Sequence, residues 1–170
     1  MPVTIFVHKI ENFELKRGIV ELLQYLTTQN YKLFVVTNQS GIGRGYFTET
    51  DFLRLTEYMI TIFKEYGVSF EEVYHCSCAP EKDCECRKPS PHMINKGVDK
   101  YEIDVSMSWL IGDKESDIGA ANNAGIYNTI KVLGKVLLNE FMVPFEFASV
   151  LLLVAMIGAV LLSKKENSAK

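Results

Sequence analysis

Asp113 stands directly behind the apolar run Trp109-Leu110-Ile111-Gly112, and Lys114, Glu115, Ser116 and Asp117 come next. A carboxylate at the end of a buried strand can hold Mg2+, which keeps coordination positions for water and phosphate, and Lys114 can neutralise charge beside it. Asp117 reads as a residue that orients this loop or favours the start of the next helix. A second apolar run, Leu33 to Val36, ends in Thr37, Asn38, Gln39 and Ser40, with Gly41, Gly43 and Gly45 around Arg44 just beyond. A hydroxyl, amide donors and exposed backbone N–H groups suit phosphoryl oxygens. A polar turn whose glycines supply positive φ is the other reading of this stretch. Between the two lies Arg87-Lys88-Pro89, a cation delivered by a rigid turn, with Lys88 fitted to a point-charge role on a transferring phosphoryl group. In isolation that tripeptide reads as a solvated surface turn.

The four cysteines, Cys76, Cys78, Cys84 and Cys86, fall within one eleven-residue window. That spacing is too cramped for a disulfide framework stapling a whole domain, so a metal clip is the better reading. Two Cys-x-Cys pairs five residues apart can give tetrahedral Zn2+ its four thiolates, and a closed set of four leaves no position for catalysis. Four cysteines without metal in a flexible loop are the alternative, and His75 is a spare ligand candidate.

The elements that must position these residues alternate. Gly18 to Gln29 carries Ile19, Leu22, Leu23 and Leu26 on one helical stripe, and Lys32 to Thr37 is a nearly continuous apolar strand covered on both faces. Phe52 to Tyr66 repeats the helical pattern behind Thr48 or Thr50, Phe70 to His75 reads as a strand, and Pro91 to Tyr101 as a helix with proline near its start. Trp109 to Gly112 is a strand, Ser116 to Asn123 a short helix closed by Gly125, and Thr129 to Leu133 another strand. The alternation predicts a three-layer α/β sandwich with a mostly parallel sheet. In an open sheet of this kind ligands bind beyond the carboxyl ends of the strands, where Thr37 and Asp113 both fall.

A chain of 170 residues holds one sizeable domain, and 18 Lys+Arg against 21 Asp+Glu exclude a polycationic nucleic-acid binder. Mean hydropathy is +0.06, and the average conceals a split, because 18 of the 21 acidic residues precede residue 131. No signal peptide opens the chain, so the N-terminal part is expected in the cytoplasm with reduced thiols. From Phe141 to Leu162 run 22 residues with one charge, Glu146, and one proline, Pro144. Such a run makes roughly 33 Å of helix, enough for a bilayer core, so a transmembrane-type helix over 141–163 inserting in the inner membrane is expected, with a buried core helix as the alternative. Lys164 and Lys165 behind it favour a cytoplasmic C-terminus, which fits poorly with a cytoplasmic domain joined by a single span. The divisions expected are a domain over 1–130 with a zinc loop at 75–91, a junction at 131–140, the helix at 141–163 and a tail at 164–170.

Taken together, VVTNQSGIGRGYFT, CECRKPSP and IGDKESDIGAANNAGI resemble the haloacid-dehalogenase-type phosphatases over residues 4 to 130, in the branch of heptose bisphosphate and histidinol phosphatases. The resemblance implies that Thr37 and Asn38 belong to the second motif, Lys88 to the third and Asp113, as Mg2+ ligand, to the fourth. It implies substrate contacts from Thr37, Asn38, Gln39, Arg87, Lys88 and Lys114, a small phosphorylated sugar as substrate, and structural zinc on Cys76, Cys78, Cys84 and Cys86. The family also uses an aspartate nucleophile and a second aspartate two residues later at the end of its first strand. Here the first aspartate is Asp51, and Phe6 to Phe13 resembles the family segment immediately after that motif, so the first strand is read as truncated and turnover as slight or absent. A second resemblance, of Leu133 to Lys164 to the last transmembrane segment of subunit J of proton-pumping NADH-quinone oxidoreductase, implies the alternative of a membrane-subunit fragment with a respiratory-complex partner.

Overall fold

The computed structural model describes residues 7–15, 18–131 and 159–164. Its centre is strand β1, Tyr31–Asn38, where five consecutive residues from Leu33 to Thr37 are buried. Successive strand side chains point to opposite faces, and β1 divides accordingly. Leu33 and Val35 pack with Ile19, Leu23, Met59 and Phe63, whereas Phe34 and Val36 pack with Met93, Ile94, Leu110, Ala120, Ala121 and Ile126. The first group places helices α1 (Ile19–Thr28) and α3 (Glu49–Glu65) on one side of the sheet. The second places α4 (His92–Tyr101) and α5 (Glu115–Asn123) on the other. Helix, sheet and helix thus form three layers, the α/β sandwich expected from the alternation. The short turn of helix α2, Ser40–Gly43, comes directly after β1.

Helix boundaries obey local chemistry. The Thr48 side chain accepts from Asp51 N–H while Asp51 Oδ2 accepts from Thr48 N–H, a reciprocal cap that starts α3 three residues ahead of the first apolar position of its stripe. Gly125 ends α5 at φ 82°, a left-handed conformation that glycine adopts without steric cost.

The sheet runs in the order β2-β1-β5-β3-β4, with β2 Phe70–Cys76, β3 Trp109–Gly112, β4 Asn128–Lys131 and β5 Ala159–Lys164. The pairs β1/β2 and β3/β4 are parallel, and β5 lies antiparallel between β1 and β3. Parallel alignment brings the carboxyl ends of β1 and β3, and with them Thr37 and Asp113, to one edge.

Strand β5 corrects part of the expected membrane helix. Residues 159–163 are extended and pair with Lys32 to Val36 on one side, and 160–162 pair with Trp109 to Ile111 on the other. A continuous apolar run fits a strand buried on both faces as well as it fits a membrane helix, and periodicity alone does not separate the two. The slot between β1 and β3 decides it here, because backbone N–H and C=O groups on both sides of that slot need partners. Among the described residues no helix is long and apolar enough to cross a membrane. Residues 141–158, the rest of that expected helix, 132–140 of the junction and 165–170 of the tail lie outside the described residues, as do 1–6 and 16–17.

Candidate functional site

Three chain segments meet at the carboxyl edge of β1 and β3. The link is Lys88, whose side chain is 3% exposed although it occupies a turn. Its Nζ donates to the carbonyl of Val36 at 2.6 Å and lies 2.7 Å from Asp117 Oδ1. The Lys88 backbone is held as firmly. Its N–H donates to Asn38 Oδ1 at 3.1 Å, and Asn38 Nδ2 donates to its carbonyl at 3.3 Å, so one amide side chain clasps both polar groups of a residue 50 positions away.

Asp117 closes the cluster. Its Oδ2 accepts from the Lys114 N–H at 3.0 Å, which caps α5, while Oδ1 faces Lys88. Gly112 makes this approach possible, since a Cβ there would lie 2.5 Å from the Cβ of Asp117. Burial pushes the Lys88 ammonium below the usual lysine range, and the charges of Asp117 and Asp113 oppose that shift. Asp113 is half-buried at the mouth of the same cluster. Burial pushes its carboxyl above the usual aspartate range, Lys114 pulls it down, and Asp117 adds to the rise. A partly desolvated carboxylate beside a second one is stabilised by a cation, and its hard oxygen atoms suit Mg2+.

On the β1 side, Thr37 is 2% exposed and its Oγ1 accepts from Gln39 Nε2 at 3.0 Å. Arg87, next to Lys88, points toward the cysteine loop and donates from Nη1 to the carbonyl of Cys78 at 3.2 Å. Lys114 is exposed at the rim, and its charge acts on both Lys88 and Asp113. Thr37, Asn38, Gln39, Lys88, Asp113 and Lys114 therefore share one edge of the sheet, with Arg87 leaning from it toward the neighbouring loop. Lys88 itself differs from the solvated turn that its tripeptide alone suggests. Asp117 is the residue whose part in the cluster sequence reasoning missed: the loop-orienting contact was foreseen, the pairing with Lys88 was not. Its only sequence signal is an aspartate four positions after Asp113 on a short helix.

The four cysteine sulfurs lie within 4.8 Å of one another. The structure joins them as Cys76–Cys86 and Cys78–Cys84, with Cα separations of 5.6 and 6.4 Å. This differs from the expectation that the cysteines are too cramped for disulfides: once the loop folds back on itself, short sequence spacing does not prevent pairing, because both Cα separations fall in the disulfide range. The same cluster of four sulfurs is also a ligand set for tetrahedral Zn2+. His75, the spare ligand candidate, is elsewhere, with Nε2 2.9 Å from Glu49 Oε1 and its ring against Phe52.

The cluster lies where an open α/β sheet binds its ligands, beyond the carboxyl ends of its strands, and the chain belongs to the haloacid dehalogenase-like hydrolases, whose family model matches residues 4–131. Within that family its strong homology is to D-glycero-manno-heptose-1,7-bisphosphate 7-phosphatases. It is 43% identical over 129 residues, 75% of each chain, to the D-glycero-beta-D-manno-heptose-1,7-bisphosphate 7-phosphatase of Helicobacter pylori. It is 44% identical over 127 residues, 75% of this chain and 73% of the other, to the D-glycero-alpha-D-manno-heptose-1,7-bisphosphate 7-phosphatase of Campylobacter jejuni. The crystal structure of D,D-heptose 1.7-bisphosphate phosphatase from B. bronchiseptica, complexed with magnesium and phosphate, is similar to it with a TM-score of 0.67 at 26% identity, covering 73% of this chain and 69% of the other. The family match ends at residue 131 and lends no support to the resemblance of 133–164 to a respiratory membrane subunit.

Proposed function

We propose that this chain binds the phosphorylated end of a D-glycero-D-manno-heptose 1,7-bisphosphate as the recognition part of a Mg2+-dependent 7-phosphatase site. The observation that carries this reading is Lys88, a buried cation fixed by Val36, Asn38 and Asp117 at the edge where Thr37 and Asp113 also end. A cation held in place before the ligand arrives needs no reorganisation when negative charge comes to it, which is the condition for strong electrostatic stabilisation in a desolvated site. Thr37 Oγ1 and Gln39 supply donors to phosphoryl oxygens, Lys88 supplies the fixed charge, and Lys114 supplies a mobile charge at the rim. Asp113 is the residue that would hold Mg2+. When bound, the ion neutralises phosphate charge and orients the phosphoryl group. Arg87 and Asn38 position the turn that carries Lys88.

Turnover by the 170-residue polypeptide is proposed to be slight. Asp113 and Asp117 are the carboxylates of the described cluster; the first is the metal candidate and the second is engaged with Lys88 and the Lys114 N–H. The test is calorimetric titration of the full chain with the heptose bisphosphate in the presence and absence of Mg2+, alongside a phosphate-release assay. The expected result is Mg2+-dependent binding that Lys88→Ala abolishes, with release far below the typical enzyme range of about 1–10³ s⁻¹. Absence of binding, or binding indifferent to Lys88→Ala, refutes the recognition role. Release at ordinary enzyme rates refutes the second part alone.

The cysteine loop is proposed to carry structural Zn2+ in the reduced protein. Its four sulfurs already lie within 4.8 Å of one another, and the loop they close holds Arg87 through the Cys78 carbonyl. Metal analysis of protein kept under reductant should give one zinc per chain. Zinc-free protein without titratable thiols would establish the two disulfides instead.

A further inference from the structure

The Arg44 guanidinium pairs with an exposed carboxylate, Glu81, on the neighbouring cysteine loop that Arg87 also binds. Arg44 Nη2 lies 2.9 Å from Glu81 Oε1, with the two side chains 35% and 68% exposed. A hydrogen bond from its own backbone, with the charges of Arg44 and Arg87 as smaller contributions, holds the Glu81 carboxyl below the usual range. The loops that carry these residues are sewn together on both sides of them. Gln39 N–H donates to the Cys76 carbonyl at 2.7 Å. A Cβ on Gly43 would lie 2.5 Å from both Ser77 O and Ala79 N, so the backbones touch at that point and only glycine fits. Arg87 Nη1 bonds Cys78 O at 3.2 Å.

The consequence is a graded row of cations. Lys88 is fully buried, Arg87 beside it is half-buried, and Arg44 stands at the rim with Glu81 against it. A ligand with one phosphate at Lys88 and Thr37 and a second at its far end would direct the second along this row. An exposed ion pair such as Arg44 with Glu81 contributes little to stability, so a doubly charged phosphate, which a guanidinium binds in a bidentate manner, can displace the carboxylate.

We propose that Arg44 is the specificity-determining residue for the second, unreacting phosphate of a bisphosphate, and that Glu81 is a built-in placeholder that orients Arg44 and gives way to that phosphate. This rests on the proposed function, in which Lys88 and Thr37 take the first phosphate. It adds a residue on the opposite loop that discriminates a bisphosphate from a monophosphate.

The experiment is calorimetric titration of the full chain, with Mg2+, using D-glycero-D-manno-heptose 1,7-bisphosphate and, separately, the 7-monophosphate. Arg44→Gln is expected to weaken the bisphosphate about tenfold and the monophosphate less than about twofold, the loss of one charge-assisted contact. Glu81→Gln is expected to tighten the bisphosphate about threefold, because the competing charge is removed. Equal changes for both ligands in Arg44→Gln, or none for either, would overturn the assignment. Weaker bisphosphate binding in Glu81→Gln would overturn the placeholder role. If Arg44→Gln lacks native circular dichroism, Arg44→Lys decides on the same criterion, since it keeps the charge and loses the fork. Failure of the unmodified chain to bind the monophosphate is the separate result that removes the underlying reading, and this proposal with it.

Discussion

Lys88 Nζ lies 2.7 Å from Asp117 Oδ1 with each side chain 3% exposed, so a full ion pair is enclosed between the third segment of the site and the first turn of α5. Both ions are also hydrogen-bonded to backbone, Lys88 to Val36 O and Asp117 to Lys114 N–H. A desolvated pair of this kind adds little net stability over an apolar pair of the same volume, but leaving one ion without the other is costly. Its value under the proposed function is positional: it fixes a cation at the edge where Thr37 and Asp113 end.

That asymmetry sets the effect of removing one partner. Asp117→Asn should destabilise the fold by about 3–5 kcal/mol in urea titrations, because Lys88 is left charged and buried. The double variant Lys88→Met, Asp117→Leu should lose much less than the sum of the two single changes. Additive losses would mean that the two side chains do not act as a pair.

The Asn38 clasp can be tested apart from charge. Asn38→Ala leaves the Lys88 N–H and C=O without their side-chain partner and should cost about 1–3 kcal/mol of stability. Phosphate affinity should fall as well, since the turn no longer holds Nζ in place. Unchanged affinity at reduced stability would confine Asn38 to a structural role.

Glu72 makes stability depend on acid. Its Oε2 accepts from Lys100 Nζ at 2.7 Å, Tyr74 Oη at 2.8 Å and Tyr101 Oη at 3.2 Å, joining β2 to α4. The Lys100 hydrogen bond, with those of the two tyrosines, holds its carboxyl below the usual value of 4.5. A carboxylate with a depressed folded pKa stabilises above its unfolded pKa, and that contribution disappears as pH falls from there through the folded value. The advantage of the unmodified protein over Glu72→Gln in urea midpoint should therefore be constant near neutrality and shrink below about pH 4.5. A difference independent of pH down to about 3 would contradict the linkage.

Strand β5 predicts the effect of a proline. Leu161 pairs with Phe34 on one side and Leu110 on the other, so Leu161→Pro removes a ladder donor from the middle of the sheet and should cost about 3 kcal/mol or more. Amide exchange without detergent should show residues 159–164 protected to the same degree as β1. A detergent requirement for solubility, with fast exchange in 159–164, would favour the membrane helix over the strand.

Much of the fold was legible in the amino-acid order. Apolar runs bounded by polar turns marked β1 and β3, the 3.6-residue stripe marked α1 and α3, and the polar residues just past those two strands marked Thr37 and Asp113, while Lys88 was singled out by its turn and by the family resemblance. These are local signals: a strand buried on both faces must be apolar throughout, and ligands meet an open sheet at its carboxyl ends. The cysteine spacing showed that four sulfurs could gather, and it could not say whether they would bond to each other or to a metal, because the same folded loop suits both.

Tertiary structure alone decided the remainder. Asp117 carries no mark in the sequence that separates a helix cap from a counterion, and its role depends on a lysine 29 positions earlier being buried opposite it. Lys88 reads as a surface turn until Asn38, 50 positions away, clasps its backbone. The apolar stretch at 159–164 has one composition and two outcomes, and the unpaired edges of β1 and β3 choose between them. Periodicity records what a segment buries; which partner it meets is set by how distant segments pack, and in this chain that packing makes the site.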